Sequence, residues 1–191
     1  MFRELIEKNR SYRGYDESFI ITREMLETLV DYARLSPSSG NIQPLKYYLS
    51  CDKETNSIIQ PLTKWARNLP NIKLPRKGHC PTAFIVICCD TTIGRNAESF
   101  LKDVGIVAQS MLLGAVEMGF GGIMIGNFNP PAVKEALSLA DNLEPKLIVA
   151  FGKPDEKVVL TVLPENKRTE YYRDENDTHY VPKRELKDII I

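Results

Sequence analysis

The chain has 191 residues, of which 43% are hydrophobic and 26% are charged, so it is long enough to bury a core and too apolar to be disordered. Its 25 lysines and arginines balance its 25 aspartates and glutamates, which gives no overall charge that would favour nucleic acid or an acidic membrane as a partner. Four cysteines without a C-x-x-C pair and only two histidines argue against a metal site. No secretory leader is visible and no apolar run is expected to cross a bilayer, so we expect a cytoplasmic protein with free thiols.

The first predicted elements are two helices, a polar loop and a strand. A short helix is expected to end at Asn9, and Thr22 is expected to cap a second, amphipathic helix that ends near Leu35. The polar loop covers residues 36–44, and the β-rich run at residues 45–50 predicts a strand.

The middle of the chain combines an irregular stretch with a buried strand and a long helix. A helix is expected around residues 57–68 with a bend or restart at Pro61, and the proline-rich residues 68–81 are expected to form a surface excursion that covers a site. The apolar run at residues 84–89 predicts a strand buried on both faces. Residues 97–118 predict a core helix, which buries much of its girth in this chain or packs on a second copy.

The last elements are a strand, a short helix, another strand and a tail. Residues 123–126 begin a strand, Asn129 is expected to cap a helix that ends near Ala140, and residues 146–151 predict a buried strand. No internal repeat is present, so we expect one domain over residues 1–191 with a C-terminal arm from about residue 165. The three isoleucines at the end are expected to dock on this subunit or on a neighbour.

The loop at residues 36–44 has two interpretations. Asn41 and Gln43 each carry an amide donor and acceptor two positions apart, next to the hydroxyls of Ser38 and Ser39. An extended segment would place both amides on one side, where they could bind the edge of a planar heterocycle. The alternative is a polar connection between a helix and a strand.

The glycines at 119, 121 and 122 do not form a dinucleotide-binding motif. They follow a helix and open a strand, which is the reverse of the Rossmann order, and the sixth position is Met124. A helix end with a turn explains one or two of them. The absence of Cβ atoms at Gly121 and Gly122 would also let a flat ligand lie against the backbone.

Two cationic pairs are candidates for an anion site. Arg10 and Arg13 flank the hydroxyl of Ser11, and a guanidinium suits a phosphate, although exposed arginines are commonly only solvated. Lys183 and Arg184 have the same two interpretations. No nucleophile–base constellation is present, which favours a binding protein or an enzyme whose chemistry a cofactor carries.

In order and spacing, Arg10-Ser11-Tyr12-Arg13, the stretch from Ser36 to Pro44, the helix from Asp103 into Gly119–Gly122, and Pro182-Lys183-Arg184 resemble the FMN-dependent nitroreductase family. The resemblance spans nearly the whole chain. It implies an α+β fold, with a central, mostly antiparallel sheet flanked by helices, in an intertwined homodimer that binds FMN at the subunit interface. It also implies that NAD(P)H delivers hydride to FMN, which then reduces a nitroaromatic, a quinone or a similar small acceptor.

The resemblance also implies which residues bind FMN, and it implies no catalytic side chain besides the cofactor. The expected FMN-binding residues are Arg10, Ser11, Arg13, Pro37, Ser38, Ser39, Asn41, Gln43, Gly121, Gly122, Lys183 and Arg184. The acceptor, the choice between NADH and NADPH, and the parts of the chain at 54–81 and 165–180 stay open. Two other functions are weighed beside the reductase: a flavin-binding or storage protein without turnover, and a flavin-free homodimeric interaction protein.

Overall fold

The computed structural model of the chain describes residues 1–165 and 168–191. The helices are α1 (Phe2–Lys8), α2 (Arg23–Arg34), α3 (Lys53–Ile59), α4 (Leu101–Glu117) and α5 (Pro130–Ala136). The strands are β1 (Tyr15–Asp16), β2 (Leu45–Ser50), β3 (Ala83–Asp90), β4 (Gly121–Ile125), β5 (Leu143–Pro154), β6 (Val158–Val162), β7 (Tyr172–Arg173) and β8 (His179–Lys183). Short 3₁₀ turns lie at Ser39–Asn41, Gln60–Leu62, Ala97–Phe100 and Leu186–Asp188.

The long strand β5 organises the central sheet. It pairs with β3, β4 and β1, and β2 extends the sheet beyond β3. All of these described ladders are antiparallel. The prediction of an α+β fold with a mostly antiparallel sheet flanked by helices is therefore confirmed.

Strand β3 lies between two apolar layers, as the unbroken apolar run predicted. Alternate side chains of a strand point to opposite faces, so Ala83, Ile85 and Ile87 pack with residues of α2 and α4. Phe84, Val86 and Cys88 pack on the other face with residues of α3 and α5. The sheet is thus covered by helices on both sides.

Local capping signals locate most helix starts. Thr22 accepts a hydrogen bond from the Met25 N–H, and Asn129 accepts one from the Ala132 N–H, as predicted. The helix expected around residues 57–68 is displaced, because Asp52 caps α3 so that it begins at Lys53. Pro61 restarts the chain as a 3₁₀ turn, which confirms its expected effect.

The α4 region corrects the expectation that no apolar run reaches the length of a membrane span. The 3₁₀ turn at Ala97–Phe100 and α4 together form a 21-residue helical stretch, Ala97–Glu117. By length and composition this stretch is apolar enough to cross a bilayer. Half of its most apolar segment is buried inside the protein, which is the pattern of a core helix. Leu101 and Ile106 lie exposed on the remaining face. Thus α4 buries less of its girth in this chain than the sequence suggests.

The C-terminal region forms a second, smaller sheet. Strand β8 pairs in parallel with β6 and antiparallel with β7. The three terminal isoleucines, residues 189–191, are exposed. Docking of the isoleucines on their own subunit is therefore not observed.

Candidate functional site

The loop between α2 and β2 has an unusual backbone. Gly40, Asn41 and Gln43 have φ angles of 56°, 54° and 54°, in the left-handed region that disfavours side chains other than Gly and, to a smaller degree, Asn. The Gln43 amide donates to the Asn41 side chain at 3.0 Å, and both residues are exposed. The structure therefore holds these two amides together at the exposed tip of the loop.

A buried carboxylate on α4 fixes this loop. Asp103 is only 3% exposed and accepts hydrogen bonds from the Ser38 hydroxyl at 2.7 Å and from the Ser39 N–H at 2.9 Å. The Ser38 hydroxyl also accepts a hydrogen bond from the Gln43 N–H at 3.0 Å. Burial, with a contribution from Asp103, raises the pKa of Tyr47 to about 12.

The role of Asp103 was not predicted from the sequence. The available signal was a carboxylate at helical spacing from the apolar Phe100 and Val107, because a buried charge requires donors from elsewhere in the chain. The Ser38 hydroxyl and the Ser39 N–H are therefore both bonded to Asp103 within the protein. They position the loop, while Asn41 and Gln43 present polar groups outward.

The first arginine segment lies against the start of β4. Ser11 forms a parallel β-bridge with Gly122, and the Tyr12 N–H donates to the Gly122 carbonyl at 3.3 Å. The Arg10 guanidinium donates to the Ile6 carbonyl at 2.7 Å, and its Nε is buried without a hydrogen-bond partner among the described residues. Burial lowers the pKa of Arg10 from its ordinary value. The structure thus places Ser11, the residue after Arg10, against Gly122.

Packing within the chain accounts for both glycines of β4. A Cβ added at Gly121 would lie 2.8 Å from the Tyr12 ring, and one at Gly122 would overlap the Ala150 carbonyl oxygen. The close approach of the Ser11–Tyr12 segment to β4 and of β5 to Gly122 therefore requires the missing side chains. This is a use of the two glycines that the sequence did not predict.

Arg13 is covered by the C-terminal region. It is 7% exposed, its guanidinium donates to the Ser11 carbonyl at 2.9 Å, and it lies 4.6 Å from the centre of the Tyr171 ring. The His179 Nε2 is 3.2 Å away. Burial first, then the charges of Arg13 and Arg173, lowers the pKa of His179 to about 4.

Glu156 joins the same buried group. Its carboxylate accepts from the Arg13 backbone N–H and pairs with the guanidinium of Arg173. The Nε atoms of Arg13 and Arg173 and the Nδ1 of His179 have no partner among the described residues. In this chain Arg13 therefore attaches the C-terminal region to the site segment.

The second predicted cationic pair lies elsewhere. Lys183 ends β8, where its carbonyl accepts from the Leu163 N–H, and both Lys183 and Arg184 are exposed. Residue 183 is four positions from His179, which corresponds to roughly 13 Å along a strand. Within one chain, the described contacts do not bring Lys183 or Arg184 to Arg10.

Helix α4 contacts both the loop and the residue before the arginine segment. Asn9 donates to Gln109 at 3.3 Å, and the Ser36 hydroxyl lies 2.8 Å from that of the next residue on α4, Ser110. Leu101 and Ile106, which are also on α4, are exposed. The two halves of the candidate site thus share a scaffold, and in the described part of the chain no hydrogen bond joins them.

The donor set suits an organic anion with a planar polar group. Arg10 offers a guanidinium with an unpartnered Nε, and Asn41 and Gln43 offer amides. Among residues 1–165 and 168–191, no cluster of three or more His, Cys, Asp or Glu side chains could hold a metal ion. The four cysteines are all free thiols.

The family model described as "Nitroreductase family" matches residues 6–153, which include Arg10–Arg13, the 36–44 loop, α4 and β4. This chain belongs to the nitroreductase family. The match confirms the predicted family, and it ends at β5, before the smaller C-terminal sheet.

Individual relatives agree with the nitroreductase assignment. The chain is 28% identical over 167 residues to the NADPH-flavin oxidoreductase of Vibrio harveyi, covering 80% of this chain and 65% of that one. A crystal structure of a nitroreductase family protein from Clostridium difficile 630 has 26% identity and a TM-score of 0.66, covering 98% of this chain and 95% of that one. The structure described as an FMN-dependent nitroreductase from Clostridium difficile R20291 has 22% identity and a TM-score of 0.65, covering 80% and 87%.

The Clostridium difficile 630 structure extends over the C-terminal region, which the family model does not reach. The nitroreductase fold in this chain is thus continuous with β6, β7 and β8. At 22% identity, the likeness to the R20291 structure establishes the fold alone.

Proposed function

We propose that this chain is an FMN-dependent oxidoreductase that takes hydride from NAD(P)H and passes electrons to a nitroaromatic, a quinone or a similar small acceptor in a two-step exchange. Membership of the nitroreductase family, together with the flavin oxidoreductase relative, supports NAD(P)H-dependent flavin chemistry. The predictions of an oxidoreductase and of a flavin cofactor are confirmed at this level. The acceptor and the binding residues are our proposal.

The observation that carries the proposal is the contact of the Arg10–Ser11 segment with Gly122. It places Ser11 against the start of β4, next in sequence to an arginine whose guanidinium carries an unpartnered, buried Nε. A buried donor without a partner is unfavourable, so a bound anionic group would stabilise Arg10. A phosphate has the charge and the acceptor oxygens for this contact.

The residues of the proposed site divide into contacting and positioning groups. Arg10, Ser11, Asn41 and Gln43 would contact FMN. Pro37, Ser38 and Ser39 would set the loop through Asp103, and the backbone of Gly121 and Gly122 would line the site. When bound, FMN supplies the centre that accepts hydride and passes electrons on, which explains why the chain needs no nucleophile–base pair.

We assign Arg13 chiefly a positioning role in this chain. Its guanidinium is enclosed by Ser11, Tyr171 and His179, so it holds the Arg10–Ser11 segment against the C-terminal region. Lys183 and Arg184 remain proposed phosphate contacts, which would require approach from a neighbouring subunit.

A homodimer would complete the site. The exposed apolar residues Leu101 and Ile106 lie on α4, the helix that contacts both the loop and the residue before the arginine segment. In a twofold dimer the same patch serves both subunits, so pairing through α4 would bring the loop of one chain toward the arginine segment of the other. The exposed isoleucines at residues 189–191 would be covered by the neighbour.

An anaerobic titration tests the function. We expect purified protein to be yellow, and its flavin absorbance to bleach on addition of NADH or NADPH and to return on addition of a nitroaromatic or a quinone. Bound flavin that stays oxidised under excess NAD(P)H would support a storage protein. Protein that is colourless and cannot be reconstituted with FMN would support a flavin-free interaction protein.

A pair of variants tests the site. Arg10→Ala is expected to weaken FMN binding by about tenfold to a hundredfold, the loss of one charge-assisted contact. Arg3→Ala is the matched control, because Arg3 makes only an exposed ion pair with Glu7 in the same helix. Equal FMN affinities of the two variants would contradict the assigned role of Arg10.

A further inference from the structure

A large cavity lies at the far end of β2 from the 36–44 loop. It has a volume of about 1190 Å³ and is lined by Cys51 and Lys53, which follow β2, and by residues of α3 and of the 63–77 segment. The six residues of β2 separate it from the loop by roughly 17 Å. None of the proposed FMN-binding residues lines it.

The lining of this cavity combines an apolar floor with a cationic rim. Ile20, Trp65 and Leu74 contribute apolar surface, with prolines at 61, 75 and 81. The rim carries Lys53, Lys73, Arg76 and Lys77 against a single carboxylate, Glu17. Arg76 pairs with Asp177, whereas the three lysines have no ion pair among residues 1–165 and 168–191. The charge of the rim therefore favours an anion.

Two polar atoms of the wall lack partners. Gln60 and Thr82 both line the cavity, and Gln60 Oε1 and Thr82 Oγ1 are buried with no hydrogen-bond partner in the described part of the chain. An amide oxygen only accepts hydrogen bonds, so Gln60 requires an N–H or O–H donor. Buried polar groups are usually satisfied, and a ligand with a donor would satisfy this one.

We propose that this cavity is a binding site, separate from the flavin site, for a small aromatic carboxylate that carries a hydroxyl or amino donor. The ring would lie on Trp65 and Leu74, the carboxylate would face the lysine rim, and the donor would reach Gln60. Pockets for small ligands have this composition, a mainly apolar surface with a few polar groups that fix orientation.

Trp65 provides a direct reporter of occupancy. It is the only tryptophan of the chain, and its indole N–H donates to the Thr63 hydroxyl at 2.7 Å, so the ring is held in the cavity wall. The probe is 4-hydroxyphenylacetate, titrated into FMN-loaded protein. Three isosteres separate the contributions: phenylacetate lacks the donor, 4-hydroxyphenethyl alcohol lacks the charge, and 4-hydroxyphenethylamine reverses the charge.

We expect 4-hydroxyphenylacetate to change Trp65 fluorescence saturably and to bind at least about fivefold more tightly than each isostere, corresponding to one hydrogen bond or one charge contact. The double variant Lys73→Gln/Lys77→Gln should weaken binding about tenfold. Lys8→Gln/Lys157→Gln, which removes two exposed lysines outside the cavity, should not. Gln60→Met should abolish the preference over phenylacetate while leaving the preference for the anion.

Calorimetric titration is the second measurement, independent of fluorescence. No saturable binding by either method, equal affinity for the amine and the carboxylate, or equal weakening in both lysine double variants would overturn the proposal. So would a shift of the visible flavin band with displacement of NADPH, because the carboxylate would then occupy the flavin site. None of these results depends on reductase turnover, so they leave the proposed function to its own test.

Discussion

The substitution Ser38→Ala tests how the loop is held. It removes the hydroxyl that donates to the buried carboxylate of Asp103 at 2.7 Å and leaves the second donor, the Ser39 N–H, in place. A hydrogen bond to a charged group contributes about 1.5 to 3 kcal/mol to stability. We expect the free energy of unfolding to fall by that amount, measured by urea denaturation followed by circular dichroism.

Ser36→Ala is the matched control in the same loop. The Ser36 hydroxyl bonds only neutral partners, the Tyr32 carbonyl and the Ser110 hydroxyl, so its loss should cost about 0.5 to 1.5 kcal/mol. The loss of unfolding free energy in the double variant Ser38→Ala/Asp103→Asn should be smaller than the sum of the two single losses by more than about 0.5 kcal/mol. The reason is that both substitutions act on the same hydrogen bond. Additive effects, or a smaller loss for Ser38→Ala than for Ser36→Ala, would refute the role of Asp103.

Three further outcomes are expected. Gly122→Ala should destabilise the fold by about 3 kcal/mol or more in urea denaturation, because its Cβ would overlap the Ala150 carbonyl, whereas Gly126→Ala, with open space around the Cβ, should be nearly neutral. The pKa of His179 is lowered to about 4, so as pH falls below the ordinary value near 6.5 the unfolded chain takes up a proton that the folded chain does not, and stability is lost. The free energy of unfolding, measured by urea denaturation at pH 7 and at about pH 4.5, should therefore fall by about 2 to 3 kcal/mol less in His179→Gln than in the unsubstituted chain. His79→Gln, which removes the other imidazole, is the control. Ile106→Lys should convert the dimer to a monomer in sedimentation, whereas Ile93→Lys, at a similarly exposed isoleucine outside α4, should not; a monomeric unsubstituted chain would contradict the proposed dimer.

The features that the sequence predicted are those with local causes. Thr22 and Asn129 cap helices through contacts three residues away, and the apolar run of β3 requires cover on both faces wherever it lies in the sheet. The 36–44 loop was visible by its composition. The ligand of the loop could not be predicted from these residues alone, because they fit both a polar connection and a heterocycle-binding site. Only the family resemblance favoured the second interpretation.

The features that the sequence missed depend on distant pairs. Ser38 and Asp103 are 65 positions apart, and Arg13 and His179 are 166 apart, so no periodicity connects them. The parallel pairing of β6 with β8 was missed for a similar reason, since the described residues between them, 163–165 and 168–178, form no helix that would indicate a crossover. The positions of Lys183 and Arg184 follow from that pairing.

The attachment of β4 to β5 has a consequence for the motions of the proposed site. Strand β5 pairs with three other strands, so the Gly121–Gly122 backbone is anchored to the best-connected strand of the central sheet. The 36–44 loop belongs to no ladder, and Asp103 restrains it through two hydrogen bonds. We expect amide hydrogen exchange to be slow at β4 and fast in the loop. The rigid β4 segment would then determine the position of a bound ligand, and the more mobile 36–44 loop would determine its rates of binding and release.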